Sequence, residues 1–72
     1  MAEKTEQNKE KILSEFEMMR GFELTAKELY LKIAASDEAD LEVKNIFTKM
    51  AKDEQRHSEI VQKIINIASN AL

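Results

Sequence analysis

Apolar residues in the first half of the chain recur at alternating steps of four and three residues, the repeat of a helix that packs against its neighbours at a shallow angle. The series has a single charged member and reads Ile12, Phe16, Met19, Glu23, Ala26, Tyr30 and Ile33. Further apolar residues widen the stripe on both sides, which favours a bundle helix over a two-stranded coiled coil. We predict a first helix over about 8–35.

The second half of the chain shows the same alternation of steps. Its series reads Val43, Phe47, Met50, Glu54, His57, Val61, Ile64 and Ala68. The one convincing break between the two series is segment 35–40, in which Ser36 and Asp37 are candidate N-cap residues. We predict a second helix over about 38–69, and because the connection is short the two helices should be antiparallel neighbours.

Composition limits the fold class. The chain has 72 residues, of which 43% are hydrophobic, one is glycine and none is proline or cysteine. We therefore expect one all-α domain over residues 1–72. A chain of this size buries only about 60% of the surface that its unfolded form exposes, so small domains commonly rely on disulfides, a metal or oligomerisation. The absence of cysteine excludes disulfides and leaves the other two.

Charge and hydropathy exclude two classes of partner. The net charge is −3 and the isoelectric point is about 5.1, with lysines and acids interleaved. Nucleic-acid-binding proteins usually carry a clustered basic patch, so we expect no nucleic-acid partner. No apolar run approaches the ~20 residues that a membrane span needs, and the polar start does not resemble a signal peptide. We expect a cytoplasmic protein without a membrane partner.

Three ionisable residues interrupt the apolar series at positions that face the core. Glu23 lies about 12 residues before the break, which is roughly 18 Å along a helix. Glu54 lies about 14 residues after the break, roughly 21 Å, and His57 is one turn further. In an antiparallel hairpin we expect these three side chains to meet at nearly one level.

Ionisable groups in an apolar core need a compensating charge, because an unpaired buried carboxylate costs on the order of several kcal/mol. A divalent ion supplies that charge, and carboxylate oxygen with imidazole nitrogen suits iron, manganese or zinc. The alternative without a metal is that Glu54 and His57 lie on a solvated helix face, or that His57 is a hydrogen-bonded core histidine. For Tyr30 the alternatives are a hydroxyl that bonds a carboxylate and a redox-active group beside the metal.

One chain offers two carboxylates and one imidazole, which are too few to complete a metal site. Two hairpins about a two-fold axis offer four glutamates and two histidines, the ligand set of ferritin-like dimetal bundles. Four carboxylates also balance the charge of two divalent ions. We therefore expect a homodimer, or a higher homo-oligomer, that forms a four-helix bundle.

Two segments, FELTAKELYLKIA around Glu23 and IFTKMAKDEQRHSEI around Glu54, resemble the two halves of the metal motif of the rubrerythrin branch of the ferritin-like superfamily. Members of ordinary size carry the motif twice in four helices, whereas short two-helix members, such as the encapsulated ferritins, rebuild the bundle by dimerising. The resemblance implies Glu23, Glu54 and His57 as metal-ligating and catalytic residues. It also implies that Glu54 bridges two ions and that Tyr30 supports a ligand carboxylate.

The resemblance implies a function as well. A site with two iron ions per dimer, or manganese or zinc in their place, would oxidise Fe(II) with dioxygen or peroxide. Such a ferroxidase or peroxidase-type activity would serve iron detoxification or storage, with a separate electron donor or a shell protein as partner. Rubrerythrins proper carry a four-cysteine rubredoxin domain, and these 72 residues contain no cysteine. The alternative is a non-enzymatic, dimerising helical module with a structural metal or a polar core layer.

Overall fold

The computed structural model describes residues 2–71 of the chain, with the side chains of residues 8–70. Within this range the chain forms two α-helices, α1 over Ala2–Ala34 and α2 over Leu41–Ala71, and no strand. They pack side by side in a hairpin whose Cα extents are 57 × 15 × 10 Å. The predicted all-α hairpin is confirmed, and its dimerisation stays a prediction. Neither helix, over its described residues, has the length and hydropathy of a membrane span.

Helix α2 begins at Leu41 because the carboxylate of Asp40 caps it. The backbone N–H of Val43 donates to Asp40 Oδ1 at 2.9 Å, which satisfies one of the free donors of the first turn. Ser36, a predicted cap, instead accepts a bond from a backbone N–H two residues later, inside the connection. The predicted caps Ser36 and Asp37 are therefore wrong, and the helix starts about three residues after the predicted position.

The side of α2 that packs on α1 carries small and branched residues. The buried members are Ala51, Ser58, Val61 and Ile65. This line differs from the predicted seam, which includes Met50, His57 and Ile64. In the structure His57 and Ile64 are exposed. The repeat of four and three fixes the spacing of a seam, but on a wide apolar stripe it does not fix the rotation of the helix to within one residue, or about 100°.

Contacts between the helices fix their antiparallel register. The rings of Tyr30 and Phe47 pack in a tilted pair with centroids 5.8 Å apart, close to the connection. At the other end of the hairpin, Lys9 Nζ donates to the backbone oxygen of Ser69 at 3.1 Å. Both contacts join residues at matching distances from the connection, so no slip of one helix against the other occurs between them.

One side of the hairpin carries a row of exposed apolar side chains from both helices. Each helix has a line of residues that faces the other helix, and the exposed apolar residues lie on the same side of this line in both helices when each is viewed from its N-terminus. Because the helices are antiparallel, these two sides form one face of the hairpin. We call it the open apolar face, and it consists of Ile12, Met18, Met19, Phe22, Leu29, Ile46, Ile60, Ile64 and Ile67. Among the described side chains, the buried apolar residues are Ala51, Val61 and Ile65 alone. The single hairpin therefore leaves this face without a partner.

Candidate metal centre

The structure brings the three predicted ligands together at the middle of the hairpin. Glu23 projects from α1, and Glu54 and His57 project from α2. One ligand atom from each residue lies within 4.8 Å of the others. Metal–oxygen and metal–nitrogen bonds are each about 2.0–2.2 Å long, so ligand atoms of one ion lie at most about 4.4 Å apart, and a small side-chain movement would let a single ion contact all three residues.

The two ligands on α2 share a face because they are three residues apart, which brings their side chains next to one another on a helix. His57 Nδ1 lies 3.8 Å from Glu54 Oε1, which is too far for a direct hydrogen bond. The His57 side chain is 47% exposed and the Glu54 side chain is 22% exposed. The imidazole therefore lies at the edge of the hairpin, towards the open apolar face, while Glu54 lies nearer to α1.

Glu23 supplies the clearest sign that a group is needed at this position. Its Oε2 atom is buried and has no hydrogen-bond partner in the hairpin. A buried polar atom without a partner typically costs about 1–3 kcal/mol, so proteins rarely leave one without a reason. A cation placed among the three ligands would satisfy this oxygen directly.

The donor set fits a divalent transition metal. Two carboxylates and one imidazole are the ligand types that iron, manganese and zinc accept, and the absence of thiolates argues against a soft-metal site. In the single hairpin the open apolar face beside His57 is exposed to solvent, so the imidazole is accessible from that side.

Tyr30 was predicted to support a ligand carboxylate through its hydroxyl. The hairpin places its ring against Phe47, two turns or roughly 10 Å from Glu23 along α1. Among the hydrogen bonds of the described side chains, none joins the Tyr30 hydroxyl to Glu23 or Glu54. The role of Tyr30 therefore stays a prediction, and its observed contact is with an aromatic ring.

A polar link beside the ligands was not predicted from the sequence. Lys27 Nζ donates to Gln55 Oε1 at 2.7 Å, and Gln55 Nε2 donates to Glu59 Oε2 at 2.8 Å. Lys27 lies one turn after Glu23, and Gln55 directly follows a ligand, so the link joins the helices at the level of the site. The sequence gives no clear signal for this link, because Lys27 lies seven residues before the end of α1 whereas Gln55 lies fourteen residues after the start of α2, and the long lysine side chain spans the difference.

Comparison with known proteins agrees with this geometry. The family model for rubrerythrin matches residues 19–70, which include all three candidate ligands. The chain belongs to the rubrerythrin family. This family typically binds iron, and the carboxylate–imidazole group of the hairpin is a candidate for that role. No curated protein and no solved structure matches the chain significantly.

Membership of the rubrerythrin family gives the hairpin a place in a larger architecture. With its two helices it is consistent with a half-size ferritin-like fold. One hairpin presents three ligands and an uncovered apolar face on the same side of the molecule. A single chain therefore offers two carboxylates and one imidazole at the site and leaves the apolar surface beside it uncovered.

Proposed function

We propose that this rubrerythrin-family protein binds iron at a two-metal site formed between two copies of the chain, and that it oxidises Fe(II) with dioxygen or peroxide. The observation that carries the proposal is the convergence of Glu23, Glu54 and His57 around a buried carboxylate oxygen without a hydrogen-bond partner. The proposal makes the protein a ferroxidase or a peroxidase-type oxidoreductase.

The open apolar face supports the two-chain arrangement. A second hairpin laid on this face would cover its apolar side chains and add two carboxylates and one imidazole to the centre. The four carboxylates would neutralise two divalent ions, which is the balance found in four-helix dimetal bundles. Burial of apolar surface and completion of the metal site would then occur in the same association step.

The chemistry follows from the groups that the site would hold. Two ferrous ions held by these residues would supply two electrons, which with two protons would reduce dioxygen to hydrogen peroxide, or would reduce hydrogen peroxide to two molecules of water. The residues of the chain hold and orient the ions. The carboxylates of Glu23 and Glu54 balance the positive charge, and the imidazole of His57 provides a nitrogen ligand. The apolar face around them excludes bulk water, which keeps these interactions strong.

The physiological purpose that fits this chemistry is removal of free ferrous iron or of peroxide. Repeated turnover with peroxide requires electrons from elsewhere, and the 72 residues hold no cysteine for a thiolate redox centre. A separate electron donor would serve that role, and a shell-forming protein would serve storage of the ferric product.

Ferrous oxidation by the purified protein tests the proposal. We expect ferrous iron added without oxygen to bind at about one ion per chain, and oxygen to produce ferric absorption in the near ultraviolet faster than in buffer. His57→Ala should lower this rate to that of iron in buffer, because it removes a ligand from each ion. Lys52→Ala, an exposed change on the same helix, is the matched control and should keep the rate. A rate that is equal in the native protein and in buffer would contradict the proposal.

A second candidate function is a non-enzymatic dimerising module. The open apolar face favours it, because such a face with a polar centre can fix the register of two partners without any reaction. This candidate is supported if the protein dimerises and binds zinc but does not accelerate ferrous oxidation.

A further inference from the structure

Lys27 has a natural partner on its own helix to which it is not bonded. Glu23 and Lys27 are four residues apart on α1, in the order and at the spacing at which glutamate and lysine commonly form an ion pair. Among the described side chains no ion pair joins them, and Glu23 Oε2 is buried without a hydrogen-bond donor. The other cation beside Glu23 on this helix, Arg20, is bonded to Glu17. Two cations that could neutralise this candidate ligand are therefore engaged elsewhere.

Gln55 on α2 holds the ammonium group of Lys27. Lys27 Nζ donates to Gln55 Oε1 at 2.7 Å in a part-buried hydrogen bond. The Gln55 amide is also fixed at its other end, because its Nε2 donates to Glu59 Oε2 at 2.8 Å. A carboxylate only accepts hydrogen bonds and an ammonium only donates them, so the amide satisfies both partners in one orientation alone. Glu59 therefore orients Gln55, and Gln55 in turn fixes the position of the ammonium.

The position of this ammonium matters for a cation at the candidate metal centre. An ammonium bonded to the Glu23 carboxylate would compete with a metal ion for the same oxygens, because hydrogen bonds between two charged groups are strong. The bond to Gln55 removes the ammonium from this competition. It also leaves the charge of both ligand carboxylates unchanged, because the amide is neutral.

We propose that Gln55 is a positioning residue that keeps Lys27 away from Glu23 and thereby leaves the Glu23 carboxylate free for a metal ion. The inference rests on the metal site of the proposed function and assigns a role in it to residues that are not ligands. It also accounts for the buried Oε2 atom that has no donor although a lysine lies one turn away.

The affinity for Mn(II) tests this role without relying on activity. Free Mn(II) gives a sharp electron paramagnetic resonance signal that weakens on binding, so a titration yields the dissociation constant. We expect Gln55→Met, which releases the ammonium, to weaken Mn(II) binding about fivefold or more. In the double variant Gln55→Met with Lys27→Met the affinity should return to within about twofold of the native value, because the competing charge is absent. The control is Gln62→Met, which should bind Mn(II) like the native protein, because the Gln62 amide bonds only Asn66 on its own helix.

The single variant Lys27→Met separates positioning from packing. If the link acted only by tying the helices together, Lys27→Met would break the same hydrogen bond and weaken Mn(II) binding as much as Gln55→Met does. We expect instead the native affinity or a tighter one. Glu59→Ala, at an exposed residue, covers the case in which Gln55→Met fails to fold. It should weaken Mn(II) binding in the same direction, and the addition of Lys27→Met should reverse the loss.

The outcomes separate this inference from the proposed function. Native protein that binds no Mn(II) overturns both. Native protein that binds Mn(II) without accelerating the oxidation of Fe(II) contradicts the proposed function, while recovery in the double variant still supports the inference. Equal weakening by Gln55→Met and Lys27→Met, or a double variant that does not recover, overturns the role of Gln55 alone.

Discussion

The Oε2 atom of Glu23 would affect the metal-free protein and a metal-bound protein in opposite ways. In the metal-free hairpin it is a buried oxygen without a hydrogen-bond donor, and this raises the free energy of the folded state. With a cation among Glu23, Glu54 and His57 the same atom becomes a ligand. Under the proposed function, metal binding and the stability of the metal-free protein would therefore place opposite demands on this residue.

The variant Glu23→Gln separates the two effects, because it removes the charge and keeps the shape. We expect the free energy of unfolding of the metal-free protein to stay equal or to rise by about 1 kcal/mol, since a neutral amide is cheaper to bury than a carboxylate. The stabilisation that added metal gives the native protein should disappear. Urea denaturation with and without Mn(II) measures both quantities.

The exposed residue Glu28 provides the control on the same helix. Glu28→Gln should leave the stability within about 0.5 kcal/mol and preserve the response to metal. Equal losses of the metal response in Glu23→Gln and Glu28→Gln would show that the response comes from overall charge and not from a site.

The sequence is sufficient to identify the individual candidate ligands but not the orientation of their side chains. Glu23, Glu54 and His57 are visible because each interrupts an apolar series. The orientation of His57 towards the edge of the hairpin was not predictable, since the apolar stripe is wide enough to pack in two rotations. The small side chains of Ala51 and Ser58 lie against α1 in the structure, and this packing sets the rotation of α2 about its axis.

Between the two helices, the link from Lys27 through Gln55 to Glu59 connects the elements at the level of the ligands. A part-buried hydrogen bond between helices contributes typically about 0.5–1.5 kcal/mol. Gln55 is the central member, because its amide accepts from α1 and donates along α2. Loss of this side chain should therefore loosen the packing of the helices at the site.

We expect Gln55→Met, which preserves side-chain length and helix propensity, to lower the free energy of unfolding of the metal-free protein by about 1 kcal/mol. The matched control is Gln62→Met, because the Gln62 amide bonds only Asn66 on its own helix and should contribute less than about 0.5 kcal/mol. Urea denaturation of both variants measures the difference. If Gln62→Met lowers the free energy of unfolding as much as Gln55→Met does, the link between the helices stabilises the hairpin no more than a hydrogen bond within one helix.

Both helices and their antiparallel order could be predicted, since periodicity and a short break are local signals. The start of α2 could not, because the connection offers Ser36, Asp37 and Asp40 as caps and only the backbone path selects Asp40.

The hairpin as a whole exposes a long apolar face, and a second copy is the partner that would also complete the metal centre. Ile67 tests this surface because it is 67% exposed on the open apolar face and lies roughly 15 Å from His57 along α2. We expect Ile67→Glu to weaken the dimer about tenfold or more, since a charge would be buried at the interface. Sedimentation equilibrium measures the dissociation constant.

The control for this variant is Leu41→Glu, because Leu41 is 74% exposed but lies outside the open apolar face. It should dissociate like the native protein. Weakening of the dimer by Leu41→Glu and not by Ile67→Glu would place the interface elsewhere. Dimerisation itself was predicted from the small size of the chain and from its incomplete ligand set; the identity of the apolar surface required the structure, which shows what one hairpin leaves uncovered.

Native mass spectrometry of the protein loaded with Mn(II) tests whether two chains share two metal ions. Manganese suits the same ligands as iron and is not oxidised during the measurement. We expect the principal species to contain two chains and two ions, and Glu23→Gln to lose the ions. A folded single chain without metal, or a dimer whose mass includes no ion, would rule out a two-metal site shared by two chains.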